Sequence, residues 1–238
     1  MSVVALVLVT VLVASAACVQ GAAGFGMALL AAPLLTLVDR SFAPAPLVLA
    51  VLPLSVLVAR RDWAHLDRKG LAWAIGGRLP GVVVGAIAVA ALSEHTLALA
   101  LGLGVLVAVG LSLFTARLRP TPGTLVSAGF ASGFMGTTTS IGGPPMALVY
   151  QRSDGPAFRS TLAIYFAAGA LMSLAGLAVA GRVGAHELRL GLLLWPGVVL
   201  GFLLSKPLTR YLDDGRTRST VLTVSAMAAL LLIAEEVL

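Results

Sequence analysis

Eight apolar runs, roughly residues 3–38, 42–59, 71–92, 96–115, 123–150, 159–180, 188–206 and 217–234, take up most of this 238-residue chain. Crossing about 30 Å of hydrocarbon takes about 20 helical residues, and most of the runs have that length. Nearly all of the ten acids and sixteen bases fall between them. A soluble domain carries about 25% charged residues, whereas here 11% are charged and 59% are apolar. The pattern predicts an all-α polytopic membrane protein set in a lipid bilayer. Cys18 is the only cysteine, so an internal disulfide is excluded. The net charge of +6 does not point to nucleic acid. The bases lie in short loops, where membrane orientation requires them, rather than on one face. Ser15-Ala16-Ala17-Cys18 resembles a lipoprotein cleavage site, but residues 1–38 hold no Lys or Arg. The basic start of a signal peptide is missing, and the first run is expected to be retained.

Two runs do not fit a single crossing. Residues 3–38 are too many, and 123–150 contain "GFMGTTTSIGGPPM", Gly133 to Met146. Gly142-Gly143-Pro144-Pro145 cannot continue a helix, because two N–H donors are absent and the residue before a proline avoids the α region. Proline is welcome at a helix start, so a new helix is expected at Pro144 or Pro145. The pieces on either side of the break are each too short to span the bilayer.

The chain also repeats. "LPGVVVGAIA" at Leu79–Ala88 returns as "WPGVVLGFLL" at Trp195–Leu204, and "RSFAPA" at Arg40–Ala45 returns as "RSDGPA" at Arg152–Ala157. "GAAGFG" at Gly21–Gly26 corresponds to the "GTTTSIGG" region near Gly136. Three matches in one order at nearly constant spacing argue for two related halves, residues 1–118 and 119–238. If every run crosses once, alternate loops carry seven bases against eight. If 123–150 dips in and returns, the count becomes twelve against three, with Arg40, Arg182 and Arg189 on the poorer side, a strong positive-inside signal. The repeat extends the same re-entrant shape to 3–38, with its turn near Gly21–Gly26. Each half is then one broken hairpin plus three transmembrane helices. The halves are inverted, and both termini lie outside.

Irregular backbone survives at membrane depth only inside protein or along a watery cavity, so the two broken turns are expected to meet near the midplane. Helices starting near Met27 and Pro144 would aim their N-termini there, attractive to negative charge. Gly21, Gly24, Gly26, Gly136, Gly142 and Gly143 let backbone approach a ligand. Thr137, Thr138, Thr139 and Ser140 add hydroxyl donors, and Gln20 adds an amide. Neither turn contains a carboxylate, so a cation would lack hard ligands. The bland alternative is that Gly133–Gly136, Gly81–Gly85 and Gly197–Gly201 are helix-packing notches. Arg78 is the one base well inside a run. It is either a functional intramembrane charge or a side chain that snorkels to the interface, and its repeat counterpart is Leu194. The acids and His65, His95 and His186 all fall in loops or at segment ends, no spacing suggests a metal site, and Ser140 has no evident base to make it a nucleophile. The residues call for no enzyme activity and no cofactor.

On "GAAGFGMALLAAPLL" (Gly21–Leu35) and "GFASGFMGTTTSIGGPPMAL" (Gly129–Leu148), the chain resembles the TauE/SafE sulfite exporter family of membrane permeases. The resemblance implies about eight hydrophobic segments in two related halves, the bacterial inner membrane, and a small anionic substrate; with the orientation read from the loop charges, both termini are then expected in the periplasm. The substrates it implies are sulfite, sulfonates or related carboxylates. By motif it places the substrate region at Gly21, Gly24 and Gly26 with Gly136, Ser140, Gly142 and Gly143. The chain departs from the pattern in its Thr-Thr-Thr-Ser and in Pro144-Pro145. The reading drawn from the residues is a carrier working by alternating access. Two alternatives stay open: another solute or a metal ion in the same fold, and a membrane scaffold. The oligomeric state also stays open, a homo-oligomer included.

Overall fold

A computed structural model describes residues 3–113, 118–208 and 216–237. Among them there are ten α-helices and no strand: α1 Val3–Ala23, α2 Met27–Val38, α3 Ala45–Asp62, α4 Arg68–Ala91, α5 Glu94–Leu113, α6 Pro122–Thr138, α7 Gly143–Tyr150, α8 Gly155–Val179, α9 Ala185–Leu208 and α10 Arg216–Val237. Five of these, α1, α4, α5, α8 and α9, are long and apolar enough to cross a membrane, and the chain is a multi-pass membrane protein. Arg117 and Arg210, two of the counted loop bases, lie outside the described residues.

The eight runs become eight units, and the two anomalous runs are the two that break. The first break is narrower than predicted. α1 continues through Gly21 and ends at Ala23, so the turn is Gly24–Gly26. Both of these glycines have positive φ, 89° and 114°, a region closed to most side chains. The arms are also unequal. At 1.5 Å per residue, α1 is about 32 Å long, enough to span, whereas α2 is about 18 Å. α6 and α7 are about 26 Å and 12 Å. Gly21 stays helical because a close neighbour, not a turn, requires it: a Cβ there would meet the Ser205 side chain on α9.

Two glycine seams organise the packing, as the notch reading predicted. Along α4, Gly77, Gly81 and Gly85 lie against the backbone of Val126, Phe130 and Phe134 on α6; Gly129 and Gly133 return the contact against Ala74 and Arg78. Along α9, Gly197 and Gly201 lie against Thr10 and Ala14 on α1. Without a hydrophobic force between helices in lipid, such close backbone approach supplies the dispersion contact that joins them. The outward sides carry exposed Leu79, Val83, Ile87, Leu103 and Leu203, as a lipid-facing surface requires.

The seams fix direction. Residue numbers rise together along α4 and α6, and together along α1 and α9. α7 returns to the start of α4, where the Tyr150 hydroxyl donates to Asp67 at 2.9 Å. Segment 122–150 therefore enters and leaves at one end of α4. Asp39, at the end of α2, shares a cavity with Glu187, near the start of α9. Segment 3–38 therefore enters and leaves at the start of α9. Contacts between loops define the two faces. Arg40 and His95 both reach Glu236 at 2.6 Å, and Arg182 donates to the Leu92 carbonyl. On the opposite face Arg159 pairs with Asp62 at 3.0 Å, and Asp67 N–H donates to Thr161. Glu236 and His95, read from the sequence as a segment-end acid and a loop histidine, are therefore partners, with the Glu236 side chain 1% exposed.

Candidate functional site

The two hairpin tips meet. A cavity of about 40 Å³ between them is lined by Gln20, Gly26, Gly136, Ser140, Gly142 and Gly143, with Arg78, Phe166 and Ala170 closing it. That volume holds a few waters or one small ion. Seven of the twelve residues singled out from the sequence line this one space.

Each tip presents a helix start. α2 begins at Met27 after Gly26, and α7 begins at Gly143 after Gly142, with Pro144 and Pro145 in its first turn. The first N–H groups of a helix have no partner within it. In α7 the two prolines have no N–H, so the donors at this end are the amides of Gly142 and Gly143, both at the cavity wall. At the other tip the Gln20 side-chain oxygen Oε1 accepts from Met27 N–H at 3.0 Å. What Gln20 has left to offer the cavity is its NH2 group. Ser140 is the one described non-glycine residue with positive φ, 65°, and its hydroxyl donates to the Pro44 carbonyl at 3.0 Å.

The remaining predicted residues lie close by but are engaged elsewhere. Thr138 and Thr139 turn back on their own helix, donating to Phe134 and Met135 carbonyls at 2.8 Å, a bond that competes with helical pairing and suits a helix end. The Thr137 hydroxyl pairs with Ser173 at 2.9 Å. Gly24 lies against Phe158 and Arg159 and Gly21 against Ser205, and neither lines the cavity.

Arg78 does not snorkel. It is 4% exposed, and its Nη1 donates to Ser132 Oγ at 3.0 Å. Its Nη2 points to Ser173 Oγ at 3.5 Å, and its guanidinium lies 4.9 Å from the centre of the Tyr165 ring. The Nε–H is buried with no hydrogen-bond partner among the described residues. Among the described residues no carboxylate forms an ion pair with it. Ser132 itself donates to the Gly142 carbonyl, tying the arginine to the second tip. Ser132, Tyr165, Gly169 and Ser173 were not singled out from the sequence. The available signal was weak: a serine four residues before Gly136, and a Tyr-x3-Gly-x3-Ser spacing along α8.

The surroundings of the cavity differ on its two sides. Toward the Arg40 face lies a larger cavity of about 470 Å³, whose lining includes Asp39, Arg40, Pro44, Glu94, Thr138 and Arg182. Ser140 lines the small cavity and Pro44 the large one, so their hydrogen bond is part of the partition. Toward the other face the first tip is clamped. Arg61 Nη2 donates to the Gly21 carbonyl at 2.8 Å. Arg61 and Arg159 both pair with Asp62, at 3.2 and 3.0 Å, and Phe25 packs edge-on against Phe158.

Against known protein families, residues 7–232 match Sulfite exporter TauE/SafE. Comparison with curated proteins and with solved structures found no match.

Proposed function

The chain belongs to the sulfite exporter TauE/SafE family, and from that premise we propose that it carries a small oxyanion through the cavity between its hairpin tips by alternating access. The observation that carries this reading is Arg78, a buried guanidinium at that cavity with no acidic partner among the described residues. An isolated charge in a low-dielectric interior is costly, and an anion in the adjoining space is the partner that relieves it. The helix starts at Met27 and Gly143 add their partial positive charge. The lining offers no carboxylate, imidazole or thiolate, which disfavours a cation. The scaffold reading accounts for the seam glycines but not for Arg78, Gly26, Gly142 and Gly143 around an open space.

The exchange of partners supports two inverted repeats. α4 of the first half lies on α6 of the second, α9 of the second lies on α1 of the first, and α3 and α5 meet their own counterparts α8 and α10. The loop charges support a cytoplasmic position for the Arg61–Asp67 face. In a bacterial inner membrane the larger cavity then faces the periplasm, on the same side as both termini. Gln20, Gly26, Gly136, Ser140, Gly142, Gly143 and Arg78 form the proposed substrate site. Thr137, Thr138 and Thr139 support the second tip, and Gly21 and Gly24 support the first.

The test is sulfite efflux from proteoliposomes. One unit charge in a 100 mV potential is worth about 2.3 kcal/mol, so flux is expected to follow an imposed potential and ignore a pH gradient. Losing the charge about 4 Å from an anion at an effective dielectric of 20 removes about 4 kcal/mol. Arg78→Gln is therefore expected to cut sulfite flux by about 1,000-fold. Wild-type flux in that variant would overturn the reading.

A further inference from the structure

The geometry points to a stripe on α8, Tyr165, Gly169 and Ser173, as a cradle whose task is to hold the Arg78 guanidinium beside the anion cavity. The inference rests on the reading of Arg78 as the anion's partner and adds what keeps it in place. The three residues are spaced by four, so they share one helix face. Tyr165 is fully buried and offers its ring face to the cation. Its hydroxyl points to the Gly129 carbonyl on α6 at 3.4 Å. Gly169 supplies space: a Cβ there would come within 2.7 Å of Arg78 Nη2 and closer still to Cζ and Nε. Ser173 receives Nη2 from the other side and shares its hydroxyl with Thr137. Phe166 and Ala170, one residue along from Tyr165 and Gly169, line the cavity itself. One helix therefore lines the pocket and grips the arginine.

The chemistry of the grip matters. An arginine in an apolar interior tends to extend toward water, and a long side chain keeps considerable rotamer freedom. A carboxylate would fix it but neutralise it, leaving nothing to attract an anion. A ring face, two hydroxyls and a gap fix it while leaving its charge uncompensated. Tyr165, Gly169 and Ser173 are thus positioning residues, acting on the substrate through Arg78.

Two measurements on the full-length protein test this. The first needs no anion: melting temperatures in detergent for Gly169→Ala, Arg78→Ala and the double variant. With the guanidinium in the notch, Gly169→Ala is expected to lower the melting temperature when Arg78 is present and to have little effect once it is gone, a non-additivity diagnostic of contact. Additive effects would overturn the cradle. The second is sulfite flux in proteoliposomes. Gly169→Ala and Ser173→Ala are each expected to raise the KM for sulfite about tenfold, the worth of one hydrogen bond to a charged group, with maximal rate held. Tyr165→Leu should do the same, and Tyr165→Phe, which keeps the ring, should restore the KM. If Arg78→Gln abolishes flux while Gly169→Ala and Ser173→Ala leave KM unchanged, the anion reading stands and the cradle's role is overturned. If Arg78→Gln transports sulfite with unchanged KM, the anion reading fails and the positioning role fails with it.

Discussion

Gly76 and Gly81 lie five residues apart on α4 and are expected to respond to the same substitution with opposite signs. At Gly81 a Cβ would collide with the Phe130 carbonyl oxygen and come within 2.9 Å of its carbon and 3.0 Å of Phe134 N. Carbon atoms pack at 3.5–4.0 Å and the carbonyl oxygen is closer still, so α6 must retreat by about 1 Å or more. Both neighbours are backbone, and no side chain can swing aside. A radial gap of 0.5–1 Å already forfeits a quarter to a half of each dispersion contact along the seam. Overpacking of this kind costs about 1–3 kcal/mol. At Gly76, by contrast, a Cβ meets nothing within 4 Å, and Ala instead of Gly inside a helix is favourable by about 0.5–1 kcal/mol. Thermal unfolding in detergent should show Gly81→Ala melting below wild type and Gly76→Ala at or above it. Because Arg78 lies between the two positions, sulfite flux should fall with Gly81→Ala and hold with Gly76→Ala. Equal melting temperatures for the two variants, or the reverse order, would refute the close-packed seam.

Three further outcomes follow from the tips and the loops. The Asp62 pairs are partly buried, with side-chain exposures of 14–19%, so Asp62→Asn should loosen the first tip by about 1–3 kcal/mol, between the exposed and buried limits for ion pairs. Buried Cys18, a turn before Gly21, reports on this: its alkylation by a permeant maleimide should accelerate at least fivefold, and an unchanged rate counts against the clamp. At Ser140, Ser140→Gly should melt above Ser140→Ala, because glycine relieves a positive φ that costs about 1 kcal/mol or more while both lose the bond to Pro44; the opposite order would remove the strain argument. The Ser41 hydroxyl and N–H both donate to the Asp39 carboxylate and hold its pKa below the ordinary range. The stability this confers is present above the unfolded carboxylate pKa near 4 and is lost as pH falls through the lower folded value. Ser41→Ala should raise the Asp39 pKa, seen by carboxylate NMR, and reduce the fall in melting temperature as pH drops below about 4; an unchanged Asp39 pKa would count against the Ser41 bond.

Hydropathy located the eight runs because burial in lipid acts on every residue of a helix. The two breaks were legible because proline and paired glycines act through the backbone alone. Arg78 was legible as an anomaly of charge. Its surroundings were not, since Ser132, Tyr165, Gly169 and Ser173 come from helices 54 to 95 positions away in the chain. A serine or glycine inside an apolar run carries no mark of which neighbour it faces. The threonine run misled for a related reason. Hydroxyls beside a helix end look free in a sequence, yet Thr138 and Thr139 bond their own helix. Gly21 read as part of the turn and is a packing contact, because a glycine that bends the chain and a glycine that admits a neighbour are the same letter. The proposed repeat also conceals a difference: Leu194, the counterpart of Arg78 in it, is a buried core residue, so the charge at the site would have no match in the other half.

A fixed cation in the pocket has a consequence for the proposed transport cycle. With a singly charged anion aboard, the pair crosses as a neutral unit, indifferent to voltage. Empty, the carrier must reorient with its guanidinium unmasked, and the electrical work falls on that return stroke. A cell interior held negative draws the bare arginine inward, so the membrane resets the carrier rather than pushing the cargo.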